Sequence, residues 1–205
     1  MTDTRRFDEA AASWDEEPWR VLLAREISDA IIAAAQPTPA MDAMDFGCGT
    51  GLITLFLHPH LRSITGVDSS PGMIDVLAGK IRALGLANVR TQLCDVERGE
   101  RPAGRYHLIV SSMTLHHLAE QAPLFRLFAD LLLPGGILCL ADLDKEDGSF
   151  HDDMTGVHHL GFERPPVRGL LADAGFTDCR DTTASVIRKE TGDFPVFLIS
   201  ARKPA

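Results

Sequence analysis

The sequence predicts an α/β fold in which a mainly parallel sheet is covered by helices on both faces. Three observations predict it. Strand-like and helix-like runs alternate from about residue 41 to residue 141, the order that places parallel strands in one sheet with right-handed crossovers. A glycine-rich turn, Gly47-Cys48-Gly49-Thr50-Gly51, separates the first strand from the helix after it. Beyond the alternation, Glu190-Thr191-Gly192-Asp193 joins two strand-like runs, the signal of an antiparallel hairpin at the sheet edge.

The chain reads as helical up to about Gln36. Residues 10–12 and 21–27 are good helix formers, and Leu23, Ile27, Ala30, Ile31 and Ala34 make an apolar stripe. Pro18 starts a second helix within this stretch, and Pro37-Thr38-Pro39 ends it. The first strand is short; Met41-Asp42-Ala43-Met44 is only partly apolar, and Asp45 closes the strand. A helix follows the glycines to about Leu57. His58-Pro59-His60 then connects to a strand over residues 63–67 that closes at Asp68. Ser70-Pro71 is an N-cap with proline at the first helical position. Ile74, Leu77, Ile81 and Leu84 form the apolar face of that helix, and Gly85 stops it.

Residues 89–94 form a third strand closing at Asp95, residues 106–110 a fourth, and residues 137–141 a fifth. A helix over residues 124–132 and the turn Pro134-Gly135-Gly136 lie between the last two. Pro165-Pro166 starts a short helix carrying Val167, Leu170, Leu171 and Ala174, ended by Gly175. The hairpin strands cover about residues 181–188 and 196–201. One domain accounts for the whole length. Residues 1–36 form a helical cap, 41–142 the ligand-binding core, 143–164 a covering segment, and 165–205 the last helix and hairpin.

Bulk properties exclude several classes. With 205 residues, 45% of them hydrophobic, the chain can bury a substantial core. Its net charge of -9 argues against a broad phosphate-binding face and makes nucleic acid an unfavoured partner. No apolar run reaches the roughly 20 residues that cross a bilayer, and the N-terminus lacks the apolar core of a signal peptide. Cys48, Cys94, Cys139 and Cys179 are widely spaced, which fits reduced thiols in a cytoplasmic protein better than disulfides or a metal site.

The glycine turn is where a ligand can meet bare backbone. Glycine permits positive φ and close approach, and a helix start offers unpaired N–H groups at the positive end of the dipole. A dinucleotide fingerprint needs a third glycine where Leu52 stands. A phosphate-binding P-loop needs a Gly-Lys-Ser/Thr ending, and none is present. A tight turn with no ligand is the remaining reading of this stretch alone. The acids alter that balance. Asp68 at the end of the second strand can accept from both hydroxyls of a ribose. Asp95 can accept from an adenine amino group while the Val96 N–H donates to a ring nitrogen. Taken singly, each acid reads equally well as a helix cap or loop carboxylate. Acids closing three successive strands, however, mark the edge at which open α/β sheets bind ligands.

In these residues the chain resembles the class I S-adenosylmethionine-dependent methyltransferases. The resemblance is carried by Asp45-Phe46-Gly47-Cys48-Gly49-Thr50-Gly51, Val67-Asp68-Ser69-Ser70-Pro71-Gly72-Met73, Cys94-Asp95-Val96, Ser111-Ser112-Met113-Thr114-Leu115-His116-His117-Leu118 and Leu133-Pro134-Gly135-Gly136. It covers about residues 41–142 and the terminal hairpin. It implies a Rossmann-like, doubly wound, seven-stranded sheet, mainly parallel with an antiparallel last strand. It implies the methionine part of the cofactor against Asp45, Gly47, Cys48, Gly49 and Gly51, with ribose on Asp68. Adenine would lie near Ser69, Met73, Asp95 and Val96, and the sulfonium near Ser111 and Met113. The first strand is less apolar than most members show.

A sulfonium donor needs no metal, and no metal site is expected. Rate comes from proximity, orientation and a desolvated pocket. Some acceptors need a base. The candidates are His116 and His117, which follow the fourth strand, and His151 in the covering segment; a histidine there could take a proton near neutral pH. Leu-His-His-Leu also occurs in the family whatever the substrate. The covering segment, residues 143–164, is long for a plain connection and reads as a substrate lid, with a solvated loop as the other reading. In the N-terminal helices, Trp14 reads as packing over the cofactor, and Arg20 reads equally as a partner for its carboxylate or as a surface arginine. The expectation is a cytoplasmic methyltransferase acting on O, N or S of a small-molecule acceptor. A protein acceptor, a non-catalytic cofactor-binding module and a nicotinamide-dependent reductase are the rivals. Leu52 speaks against the last.

Overall fold

A computed structural model describes residues 4–205. Met1, Thr2 and Asp3, the first residues of the N-terminal reading above, lie outside the described residues. The strands are β1 (Asp42–Phe46), β2 (Ser63–Asp68), β3 (Val89–Leu93), β4 (Tyr106–Ser112), β5 (Leu132–Leu143), β6 (Thr177–Lys189) and β7 (Gly192–Arg202). They form one sheet in the order β3-β2-β1-β4-β5-β7-β6. β1 to β5 pair in parallel, and β7 runs antiparallel between β5 and β6. The expected seven-stranded, mainly parallel sheet with an antiparallel last strand is therefore present. Its order reverses between β1 and β4. The chain builds outward to β3 and then crosses back, and ligands of open α/β sheets bind at such a switch point.

The helices are α1 (Arg5–Ala10), α2 (Pro18–Ala35), α3 (Leu52–Leu57), α4 (Pro71–Leu84), α5 (Gln121–Leu131) and α6 (Arg164–Asp173). A 3-10 turn (Ala11–Glu16) joins α1 to α2. Local chemistry sets the ends as expected. Pro18 occupies the first turn of α2. Ser70 Oγ accepts from Met73 N at 3.1 Å at the start of α4, and Gly85 ends that helix at φ +64°.

The two faces of the sheet carry separate cores. On one, Ile27 and Ile31 of α2, Leu57 of α3 and Phe194 of β7 pack on Ala43, Ile64, Leu108 and Val110. On the other, Phe125 and Phe128 of α5 and Leu171 of α6 pack on Met44, Val67, Ile109 and Phe197. Side chains alternate along β1 and β4 because successive Cβ atoms point to opposite faces. Each fully buried Phe contributes about 1.5–3 kcal/mol.

Several details differ from expectation. Ala34 is exposed and Ala35 is buried, so the inner stripe of α2 closes one residue later. Leu84 is 63% exposed at the last position of α4, past the cover of the sheet, and Met73 joins Leu77 as the buried pair. The Pro134-Gly135-Gly136 turn lies inside β5 as an irregularity: Leu132 pairs with Tyr106 and Ile137 with Leu108. β6 and β7 extend well beyond the expected hairpin, because each supplies the other's backbone partners over their full length. The polar start of β1 has a structural cause. Asp42 pairs with Arg62 and accepts from Ser63 Oγ at 2.7 Å. The Arg62 hydrogen bond, with burial opposing it, holds the Asp42 carboxyl down at about 2. Among the described residues no helix is long and apolar enough to cross a membrane.

Candidate active site

The site begins at the loop between β1 and α3. Gly47 N and Cys48 N both donate to Val67 O, at 2.8 and 3.1 Å, which bends the chain sharply over the end of β2. Gly47, Gly49 and Gly51 all take positive φ, the region glycine enters without a Cβ penalty. Two of them are glycines for packing. A Cβ on Gly47 would stand 2.2 Å from Thr114 Oγ1, and one on Gly51 would stand 2.3 Å from Leu77 Cδ1. Gly49 differs, since its Cβ would meet only Met73 Sδ at 3.9 Å. The open backbone at Gly49 faces a cavity of about 310 Å³.

Asp68 ties this loop to the next. Its Oδ2 accepts from Gly49 N at 2.8 Å and its Oδ1 from Ser70 N at 2.9 Å. Burial pushes its carboxyl up, against the backbone N–H groups that favour its charged form. Asp45 lies beneath, 1% exposed, and accepts from Thr54 Oγ1 at 2.6 Å. Burial raises it to about 7. Asp95 combines the readings its sequence left open. It caps a 3-10 turn (Val96–Arg98), accepting from Glu97 N at 3.0 Å, and it lines the cavity together with Val96. Burial pushes the Cys48 thiol well up, so it remains a neutral wall of the cavity.

Two aspartates of the N-terminal segment bind it over the cavity. Asp8 Oδ1 accepts from Gly72 N at 2.9 Å and from Ser70 Oγ at 2.5 Å, at the start of α4. Asp15 accepts from Thr50 Oγ1 at 2.6 Å and pairs with Lys80. Trp14 and Arg20 thereby reach the cavity. The Arg20 guanidinium lies 3.9 Å from the Trp14 ring centroid and donates to Trp14 O at 3.1 Å. Its buried Nε has no partner.

Three histidines also meet at this cavity. His116 and His117 form a 3-10 turn (Leu115–His117) after β4, and His151 approaches from the segment after β5. Ring centroids are 4.1 Å apart for His116 and His117 and 5.1 Å for His116 and His151. Burial, with His116 adding to it, lowers His117 to about 3 and His151 to about 4. His117 Nδ1 lies 2.8 Å from Gly156 O, and a carbonyl there fixes Nδ1 as the protonated nitrogen. The segment that carries His151 is zipped at its base: Lys145 N donates to Phe162 O at 3.0 Å and Phe162 N to Leu143 O at 2.9 Å. Its far part is fastened to the histidine turn by His158 N donating to His116 O at 2.9 Å. Among the described residues, no group of three or more His, Cys, Asp or Glu side chains is gathered to hold a metal.

The cavity thus gathers Asp45, Gly47, Cys48, Gly49, Asp68, Ser69, Met73, Asp95, Val96, Met113, Trp14 and Arg20 with His116, His117 and His151. Gly51 and Ser111 do not line it. Gly51 packs on Leu77, while Ser111 is fully buried with an unpartnered Oγ; its neighbour Ser112 lines the cavity instead, because residues alternate across β4. Sequence reasoning missed Asp8 and Asp15, whose sequence carries no motif. It also missed Asp142, at the penultimate position of β5. The rule that singled out Asp45, Asp68 and Asp95 as strand-end acids would have found it.

Residues 43–136 match the methyltransferase domain family. An uncharacterized methyltransferase of Schizosaccharomyces pombe is 32% identical over 153 residues, covering 67% of this chain and 54% of that protein. The chain spans about half the length of this relative and of the Coxiella burnetii ubiquinone biosynthesis O-methyltransferase that it also matches. Among solved structures, a Haloferax volcanii methyltransferase structure determined as a complex with the Trm112 methyltransferase activator superposes with a TM-score of 0.78 at 15% identity, covering 97% of this chain and 98% of that one. Haemonchus contortus phosphoethanolamine N-methyltransferase 2, determined with S-adenosyl-L-methionine, superposes with a TM-score of 0.72 at 16% identity, covering 87% of this chain and 52% of that one.

Proposed function

On the premise that residues 43–136 are a methyltransferase domain of the class I fold, we propose that this protein is an S-adenosylmethionine-dependent methyltransferase acting on an oxygen, nitrogen or sulfur of a small acceptor. The observation that carries this reading is the cavity itself. Open backbone at Gly49, the strand-end acids, an unpartnered arginine nitrogen and three histidines share it.

These residues fit the cofactor. The Gly49 backbone leaves room for close approach where a Cβ would intrude. Arg20 Nε is a buried donor without an acceptor, the counterpart a carboxylate requires. Asp68 would hold the ribose, and Ser69, Met73, Asp95 and Val96 the adenine. Gly47, Cys48, Gly51 and Asp45 shape the loop for the amino-acid end, and Met113, with Ser111 behind it, borders the sulfur. Bound there, S-adenosylmethionine supplies a methyl group on cationic sulfur, which needs no metal to activate it.

The chain's own task is to orient the acceptor, keep water out and remove a proton where the acceptor carries one. The N-terminal helical segment up to residue 36 acts as a cap, and residues 143–164 as the lid that contacts substrate. The four free cysteines support a cytoplasmic setting. Calorimetry with S-adenosylhomocysteine, followed by transfer of labelled methyl groups to fractionated small-molecule extracts, tests the proposal. Binding with transfer to a low-mass product supports it. Affinity for NADH with none for S-adenosylhomocysteine refutes it. Cofactor binding without transfer to any fraction would favour a non-catalytic module.

A further inference from the structure

We propose that Asp142 and His116 form a proton-accepting pair at the acceptor end of this cavity and that the acceptor is a hydroxyl compound, an inference that rests on the methyltransferase reading above. His116 Nδ1 lies 2.6 Å from Asp142 Oδ1, with the two side chains 2% and 0% exposed. Asp142 is held from two more directions. Its Oδ1 accepts from Leu143 N at 2.8 Å and its Oδ2 from His116 N at 3.3 Å. The carboxylate therefore belongs to the rigid end of β5, and the imidazole must orient to it.

A carboxylate against Nδ1 fixes the proton on that nitrogen and leaves Nε2 bare. The same carboxylate stabilises the imidazolium that forms once Nε2 takes a proton. His116 is one of the residues that line the cavity, so the side chain that Asp142 supports stands beside the space an acceptor would enter. The imidazole holds the Asp142 carboxyl below its usual range although burial pushes the other way.

The neighbouring histidines do not compete for this role. His117 from the same turn donates to Gly156 O through Nδ1, and His151 from the lid has a buried Nε2 with no partner. Both are poor bases near neutral pH, for the burial given above. Among the described residues, Glu146, Arg6 and Lys189 are charged groups that act on His151, and Asp142 is the carboxylate that meets the His116 ring.

The pairing selects an acceptor class. An arylamine is uncharged near neutral pH, attacks through its free lone pair and sheds its surplus proton to water only after the bond has formed. A phenolic hydroxyl, with a pKa of about 10, must lose its proton as it reacts near neutral pH. In that step the oxygen lone pair forms the bond to the methyl carbon. The carbon–sulfur pair stays with sulfur, and the O–H proton passes to His116 Nε2 and later to solvent.

The test uses the full chain with S-adenosylhomocysteine bound. Nitrogen-15 NMR of histidine-labelled protein reads the His116 tautomer. We expect protonated Nδ1, bare Nε2 and a low-field Nδ1 proton that vanishes in Asp142→Asn. In parallel, labelled methyl transfer from S-adenosylmethionine is measured to simple phenols and to simple arylamines, which are uncharged near neutral pH. Phenols should be methylated and amines not, and His116→Gln and Asp142→Asn should lower the phenol rate by about 100-fold or more with S-adenosylhomocysteine affinity unchanged. Protonated Nε2 at neutral pH, transfer to amines alone or to neither class, or variants as fast as the native chain would each overturn the pair. Should Asp142→Asn fail to fold, the native tautomer and His116→Gln still decide. Failure of the native chain to bind S-adenosylhomocysteine would instead remove the methyltransferase reading itself.

Discussion

Asp68 Oδ2 accepts from Gly49 N at 2.8 Å, so the acid expected to hold a ribose also locks the glycine loop beside it. One carboxylate thereby fixes two parts of the proposed cofactor site. Asp68→Ala should weaken S-adenosylhomocysteine binding by about 1–3 kcal/mol, the cost of losing hydrogen bonds at a buried site. Calorimetry checks this, and an unchanged Kd would remove the ribose assignment.

The glycines of the loop should separate by function. Gly47→Ala drives a methyl group into Thr114 at a φ of +71°, so it should cost stability and activity together. Gly49→Ala meets only Met73 Sδ at 3.9 Å. It should cost about 1–2 kcal/mol of backbone strain yet abolish cofactor binding by filling the cradle. Thermal unfolding beside calorimetry distinguishes them. Equal loss of stability in both would contradict the assignment.

Arg20 offers a buried Nε without a partner. Arg20→Ala should weaken S-adenosylhomocysteine by about 1.5–3 kcal/mol, the worth of a hydrogen bond to a charged group. It should leave 5′-methylthioadenosine, which lacks the amino-acid end, nearly unaffected. A matching loss for both ligands would show that Arg20 acts through packing on Trp14.

The buried Asp45 and the partly buried His117 should tilt stability with pH in opposite directions. Asp45 is raised by burial from 3.8 to about 7, so between those values the native chain holds a proton that the unfolded chain has lost. Its contribution falls as pH rises through that window. His117 is lowered by burial from 6.5 to about 3, so the unfolded chain takes up the proton first and stability falls as pH drops below 6.5. Each group can contribute at most about 1.4 kcal/mol per pH unit. Urea unfolding of Asp45→Asn and His117→Asn across pH 4 to 7, read as the difference from the native chain, should give slopes of opposite sign.

Arg6 Nη1 donates to Asp153 O at 3.1 Å and Thr155 O at 3.0 Å, linking the N-terminal segment to the proposed lid. Arg6→Ala should raise hydrogen exchange across residues 150–158 with little effect on global stability, because the contacts are exposed. Unchanged exchange there would mean that the lid holds itself closed.

The architecture was legible because it depends on local chemistry. Pro18, Ser70 and Gly85 end or start helices through their own backbone restrictions. Alternating runs then leave few topologies open. The expectations that failed depend on neighbours. Leu84 fits an apolar face by spacing, yet it lies past the sheet that would cover it. Ser111 and Ser112 are indistinguishable by composition, and the pleat of β4 decides which of them reaches the cavity.

The sequence by itself determined the α/β order, the glycine turn and the strand-end positions of Asp45, Asp68 and Asp95, since periodicity and turn residues encode these within short windows. Only the tertiary structure decided that Asp142 lies against His116, that Asp8 and Asp15 bind the N-terminal segment over the site, and that His151 joins His116 and His117. These contacts join residues that lie far apart in sequence, and no local propensity reports which side chains a parallel sheet will bring to one edge.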